Sequence, residues 1–314
     1  MTAAPTWICP RCRAELVPGS GNPAGYTFPL AVRGRPQHVS ASLERYTDQC
    51  PSCALPYTVR DDRRFEYPYR QLLAEFSPRD FLTWSDAQNN GYISYSLMRA
   101  SSCSVEGRED AAEFTDYIRE RIGDSAPQVV LDLGCGPQAA PAYIAAVPDA
   151  ELIGLDPFDS EWAGRFIQGA GEFLPLPDHS VDLITAATSL DHTLDLRRSL
   201  SELARVARPG AHFVVWDHAL VTAGDRFRQL LYDLVRAPWG QKLAKLRANL
   251  PRERVRVYDN GIVLWAPKGY ADPFHAPRSR RPSWYGLLHR EIEAAGFTRQ
   301  ATDPDRGFSH YVRD

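Results

Sequence analysis

The chain has no uninterrupted apolar stretch approaching the ~20 residues that a membrane span requires, and no basic N-terminal segment followed by an apolar core. Neither a membrane partner nor a secretory leader is expected, so the cytoplasm is the expected compartment. An excess of positive charge is missing as well: 36 Lys and Arg stand against 39 Asp and Glu, a net charge of −3. Bulk charge therefore gives no reason to expect nucleic acid. Internal repeats and low-complexity tails are absent too. What is present is 314 residues, 44% hydrophobic and 24% charged, enough to bury a large core with an appended module and no disulfide support.

Cysteine is scarce but concentrated. Four of the six cysteines form two Cys-x-x-Cys hooks, Cys9-Pro-Arg-Cys12 and Cys50-Pro-Ser-Cys53. In a reducing compartment, two such hooks supply four thiolates to one tetrahedral ion, with each proline suited to the tight turn of a zinc ribbon. The expectation is a structural Zn²⁺ held by Cys9, Cys12, Cys50 and Cys53, with no open coordination position. Gly19 to Arg35, between the hooks, reads as turns and short strands, and an intervening β-hairpin fills their separation. A pair of redox dithiols is the competing reading.

From Tyr69 to about Ile122 apolar residues recur at helical spacing, most clearly Phe114, Tyr117, Ile118 and Ile122. After Pro127 the pattern changes to short β-rich runs, Val129 to Leu133, Leu152 to Leu155, Val181 to Ala186 and Phe213 to Trp216, separated by helical stretches. That alternation implies a parallel sheet covered on both faces, a doubly wound α/β fold. Ser199 to Val206 reads as a helix stopped by Arg208-Pro-Gly210. Further on, Phe227 to Val235 reads as helical, Val255 to Trp265 around Asp259-Asn-Gly261 as a hairpin, and Ala271 to Pro282 as an irregular basic loop. Trp284 to Ala295 is a helix ending at Gly296, followed by short strands around Thr298 and Ser309 to Val312. The expected organisation is a metal module over 1–66, a helical entry over 67–125, a nucleotide-binding core over 126–220, a substrate-cap insertion over 221–283, and the last helix and edge strands over 284–314.

Val129-Val-Leu-Asp-Leu-Gly-Cys-Gly-Pro-Gln-Ala139 places a buried strand directly before Gly134-x-Gly136-x-x-Ala139, where a nucleoside-binding turn lies in such folds. Asp156, roughly 20 residues on, stands at the end of the next strand, placed to accept from both ribose hydroxyls. Nicotinamide dinucleotide and S-adenosylmethionine both fit this scaffold. Asp132 separates them: a pyrophosphate repels a carboxylate there, whereas a cationic amino-acid end attracts one.

On these residues the stretch from about Val129 to Val215 resembles the class I S-adenosylmethionine-dependent methyltransferases. Leu131 to Gly136 resembles their first motif, Asp156 their ribose acid, Glu172 to Asp182 their adenine loop, and Arg205 to Gly210 the turn before strand five. The resemblance implies a Rossmann-like, mostly parallel seven-stranded sheet whose edge is an antiparallel pair from Gly296 to Tyr311. It implies methyl transfer, with Asp132, Gly134, Cys135, Gly136, Asp156, Pro157, Gly171, Glu172, Phe173 and Thr188 around the cofactor. One departure stands out. Many relatives carry an acid where this chain has Ala170, so the adenine contact falls to backbone, to Glu172 or to a neighbour.

Methyl transfer requires an aligned acceptor and, for a hydroxyl, amine or acidic carbon, a base. His192, after strand four with Asp191 and Asp195 beside it, is the leading base; the competing reading makes Asp191 a helix cap and His192 a packing residue. His275, near Asp272, is a second candidate on an aromatic loop able to fold over the acceptor. Arg278-Ser-Arg-Arg281 with Trp284 and Tyr285 offers guanidinium groups to a phosphate-bearing acceptor; His179 is given no chemistry.

Ala187 to Asp195 and Asp272 to His275 resemble a bacterial subgroup associated with polysaccharide or secondary-metabolite biosynthesis. Cysteine-bound zinc at the N-terminus also occurs in ribosomal RNA guanine methyltransferases and in sugar C-methyltransferases of antibiotic pathways. The favoured acceptor is a small metabolite, a sugar or a nucleotide-linked intermediate. An RNA base is the alternative, less favoured because the net charge is acidic, and a non-catalytic role for bound S-adenosylmethionine is a third reading.

Overall fold

A computed structural model describes residues 6–18, 24–32, 35–43, 48–54, 56–60, 63–66, 109–136, 141–157, 162–217, 255–257, 263–265 and 284–314. The helical reading over 69–108, that over 227–235 and the loop over 271–282 lie outside these residues.

Seven strands form the expected core. They are β7 (Val129–Leu133), β8 (Glu151–Asp156), β9 (Arg165–Gln168), β10 (Val181–Ala187), β11 (Ala207–Trp216), β14 (Phe297–Asp303) and β15 (Phe308–Arg313). Their order is β9-β8-β7-β10-β11-β15-β14. The pairs among β9, β8, β7, β10 and β11 are parallel, and β15 enters antiparallel between β11 and β14. Order reverses at β7, so the crevice at the C-terminal ends of β7 and β10 is the switch point where such sheets bind ligands. All five residues of β7 are buried, as expected of a strand covered on both faces.

Among the described residues, three α-helices pack on this sheet: α1 (Glu109–Ile122), α2 (Leu196–Val206) and α3 (Trp284–Ala294). The expected stripe of α1, Phe114, Tyr117, Ile118 and Ile122, is its buried face. Asp195 caps α2, its side chain accepting from the backbone N–H groups of Arg197 and Arg198. The cap is therefore four residues beyond Asp191, the position considered from sequence. Arg208-Pro-Gly210 turns as expected, but inside a strand: β11 pairs Ala207 with Val181 and then slips before pairing His212 with Leu183. This bulge absorbs the proline and the left-handed glycine.

The N-terminal strands extend the same sheet. They are β1 (Val17–Pro18), β4 (Asp48–Gln49), β5 (Pro56–Arg60) and β6 (Arg64–Glu66), continuing the order as β1-β4-β5-β6-β9. β6 lies parallel to β9, with Phe65 opposite Ile167 and Glu66 opposite Gln168. Cys9, Cys50, Tyr57 and Phe65 share one hydrophobic cluster with Ile167, Leu174 and Leu176. The four-cysteine segment is thus built into the edge of the core. The span between the hooks is a hairpin of two nine-residue strands, β2 (Ala24–Val32) and β3 (Arg35–Leu43), longer than the short strands read there. β12 (Val255–Val257) and β13 (Val263–Trp265) pair antiparallel, as expected for a hairpin. Among the described residues no helix is long and apolar enough to cross a membrane.

Candidate functional site

β7 delivers the chain into a tight turn. Gly134 and Gly136 have φ of +74° and +71°, a region costly for side chains with a Cβ. Gly134 has a second reason to be glycine: a Cβ there would sit 2.4 Å from the Cβ of Ser189. The turn is held from β8, since the N–H groups of Gly134 and Cys135 donate to the Leu155 carbonyl at 2.8 and 3.1 Å. The Gly136 N–H donates to Oδ2 of Asp156 at 3.0 Å. Asp156 thereby stands at the mouth of the turn, half-buried. Pro157 follows it, half-buried, at the end of β8.

Asp132 lies beneath the turn with no exposed surface. Thr185 of β10 donates to its Oδ1 at 2.7 Å, and the Tyr143 hydroxyl sits 3.0 Å from both carboxylate oxygens. Burial raises its pKa to about 7; the hydrogen bonds from Thr185 and Tyr143 oppose the shift, and the charge of Asp156 adds to it. An acid so placed presents negative charge to the turn through a low-dielectric layer, an arrangement that favours a cation above it. Neither Tyr143 nor Thr185 was named from sequence; Thr185 is 53 residues from its partner, and no local signal announces the contact.

The loop after β9 runs from Ala170 through Ser180, and Arg205 pins it. That guanidinium donates to the carbonyls of Leu174 and Leu176 and pairs with Glu202 and Asp178, at 2.7 to 2.9 Å. Gly171 is buried where a Cβ would lie 3.0 Å from Leu133 Cδ1, so its backbone sits tightly against β7. Phe173 is buried, with the Arg198 guanidinium 3.9 Å above its ring. Glu172 is buried, and its carboxylate accepts the Asp195 N–H at 2.7 Å at the head of α2. Burial raises its pKa, while the backbone donors of Asp195 and Leu194 oppose that rise. The Cys135 side chain is buried in the cluster of Val130, Tyr143 and Trp162, while its backbone forms part of the turn.

After β10, Thr188 adopts φ +52°, unusual for a β-branched residue, and its N–H donates to the Trp216 carbonyl at 2.6 Å. Ser189 donates to the Leu133 carbonyl at 2.6 Å and ties this loop to the glycine turn. Leu190–His192 forms one short 3₁₀ turn. There His192 Nε2 lies 3.5 Å from the buried Asp191 carboxylate, and the imidazole is half-buried. The expected pair is therefore together, at the same sheet edge as the turn. His275, Asp272 and Arg278 to Arg281 lie outside the described residues.

Residues 131–215 match the family described as a methyltransferase domain. An uncharacterized methyltransferase of Bacillus subtilis, YcgJ, is 43% identical over 131 residues, 39% of this chain and 45% of the relative. A probable chloroplastic tocopherol O-methyltransferase of Oryza sativa subsp. japonica is 30% identical over 155 residues, 43% of this chain and 42% of the relative. The matched stretch spans about half of these curated relatives or less. Among solved structures, the 1,6-didemethyltoxoflavin-N1-methyltransferase of Burkholderia thailandensis aligns with a TM-score of 0.45 at 14% identity, covering 84% of this chain and 98% of that one. The core has a Rossmann-like methyltransferase fold.

Beside this core sits a second group of candidate ligands. The Sγ atoms of Cys9, Cys12, Cys50 and Cys53 all lie within 4.8 Å of one another. Sulfur separations are 3.6 Å for Cys9–Cys53, 3.2 Å for Cys12–Cys50 and 3.9 Å for Cys12–Cys53. Four sulfurs at ~2.3 Å from a tetrahedral zinc stand about 3.8 Å apart, so the set fits. The two hooks repeat one geometry. Arg13 N donates to Cys9 O and Ala54 N to Cys50 O, and both Arg13 and Ala54 take left-handed φ, +65° and +54°. Hydrogen bonding, from the Ala14 backbone first, lowers the Cys12 thiol to about 7, a state suited to ligation.

Proposed function

We propose that this chain is an S-adenosylmethionine-dependent methyltransferase acting on a small metabolite, a sugar or a nucleotide-linked intermediate of a biosynthetic pathway. The observation that carries the reading is the Gly134–Gly136 turn, closed by Asp156 and underlain by buried Asp132, within the stretch that matches a methyltransferase domain. Asp156 holds the ribose, Asp132 supplies negative charge toward the amino-acid end of the cofactor, and the Gly171–Phe173 backbone contributes to the adenine side. Nothing in this set performs bond chemistry itself. The sulfonium brings its own leaving group, so the protein's work is alignment and removal of an acceptor proton. His192, steadied by Asp191, is the proposed base. The four cysteines hold one structural Zn²⁺ with every coordination position filled by protein.

The test is turnover. With S-adenosylmethionine and a pool of hydroxylated and nucleotide-linked metabolites, methylated product and S-adenosylhomocysteine are expected in equal amounts. His192→Gln should lower the rate by on the order of 10²-fold or more while leaving S-adenosylhomocysteine affinity near that of the parent. A full rate in this variant would remove His192 from the chemistry, and methylation of RNA but of no metabolite would replace the acceptor class.

A further inference from the structure

The metal-ligand segment is wired into the loop assigned above to adenine. Ile8 N, adjacent to Cys9, donates to the Pro175 carbonyl at 3.1 Å. Trp7 lies under the Arg165 guanidinium at 3.8 Å, and Arg165 also reaches Glu151 of β8 at 3.2 Å. Phe65 of β6 stands between Trp7 and Tyr57, with ring centroids 5.6 and 5.2 Å away, and the Tyr57 hydroxyl lies 3.1 Å from Cys9 Sγ. Asp178, at the far end of the loop, is held below the usual carboxylate range by Arg205, with the charge of Arg13 from the first hook adding to it. Just beyond β9, Gly169 N donates to the carbonyl of Asp156 at the end of β8, at 3.0 Å.

These contacts form a continuous path from the cysteines to both the ribose acid and the adenine loop. We propose that metal occupancy of the four-cysteine site controls cofactor affinity, through the Trp7–Ile8 segment on Pro175 and the β6–β9 strand pair beside Asp156.

This rests on the cofactor and metal assignments above. Without an ion, the hooks lose the cross-link that fixes residues 6–18, because metal-binding free energy in such a module is folding free energy. Local opening of that segment then strips Pro175 O of its donor and Arg165 of β9 of its Trp7 contact. The loop becomes more mobile, and the cofactor has to order it on binding. Linkage makes the effect reciprocal: bound cofactor must tighten the metal by the same factor.

The experiment uses the full chain with its metal counted. S-adenosylhomocysteine is titrated calorimetrically into metal-loaded and chelator-treated protein, and zinc is competed against a chromogenic chelator with and without saturating S-adenosylhomocysteine. Expected are one zinc per chain, about tenfold weaker ligand binding after metal removal, and an equal factor in zinc affinity. If chelation unfolds the chain, Trp7→Ala decides. With its cysteines intact it should keep one zinc, bind the ligand severalfold more weakly and shrink the reciprocal factor. Equal ligand affinity in the loaded and stripped forms, or in Trp7→Ala and the parent, overturns the coupling. Absence of zinc overturns the metal assignment instead, and absence of ligand binding in every form overturns the cofactor assignment.

Discussion

At the scale of single residues, the most informative side chain is Asp132, because its burial and its two donors act in opposite directions. Burial lifts it to about 7, and Thr185 and Tyr143 limit the rise. A carboxyl raised above its unfolded value stays protonated in the fold while the unfolded chain ionises, so its share of folding stability falls as pH rises from about 4 toward 7. Cofactor binding has the opposite dependence, because an ammonium group favours the ionised acid. S-adenosylhomocysteine affinity is therefore expected to rise as pH passes through about 7 and then level off. Asp132→Asn should flatten that profile. A parent profile already flat between pH 6 and 8 would mean that Asp132 does not face the cofactor's charge.

Sequence reading reached Asp132, Gly134, Gly136 and Asp156 because each lies in a local pattern of strand, turn and spacing. It did not reach the hydrogen bond from the Asp195 backbone to Glu172, nor Ser189, whose contact is with a carbonyl 56 residues away. Tertiary hydrogen bonds leave no periodic trace, and that is where the reading fell short.

At the scale of elements, α2 organises the loop. Asp195 supplies its cap, Glu172 accepts the N–H of that cap residue, and Arg205 near its end grips two loop carbonyls. Arg205 is largely buried, so its removal leaves Glu202 and the carbonyls short of donors. Arg205→Ala should cost about 1.5–3 kcal/mol in denaturant-derived stability, the range for charge-assisted bonds left unpaired. Asp195→Ala should cost about 1 kcal/mol, as for an ordinary cap. If Arg205→Ala cost no more than Asp195→Ala, the loop would be held by its apolar residues instead. The strong elements were readable from pattern, β7, β10, α1 and α3 among them. β9 was not singled out: four residues flanked by glycines carry too little periodicity to stand apart from a loop.

At the scale of the whole molecule, the N-terminal segment and the core are joined through β6 and β9 into an eleven-stranded sheet of the described residues. The Cys-x-x-Cys spacing made the ligand set legible, and the intervening hairpin followed from the distance between the hooks. The fusion of sheets did not follow, because β6 is three residues long and its pairing depends on Phe65 and Ile167 meeting across a hundred positions. A metal site within a shared cluster should stabilise more than its own hooks. Cys50→Ser should release the metal and lower the thermal midpoint of the main transition, not merely of a minor early one. A main transition at the parental midpoint would show a module that folds apart from the core.

Whether the turn closed by Asp156 holds S-adenosylmethionine is read from calorimetric titration of S-adenosylhomocysteine into the parent chain and into Asp156→Ala. One site per chain is expected in the parent, with binding weaker by about 1–3 kcal/mol in the variant as the hydrogen bonds of the acid are lost. No binding by the parent, or the same affinity in both proteins, would contradict that assignment.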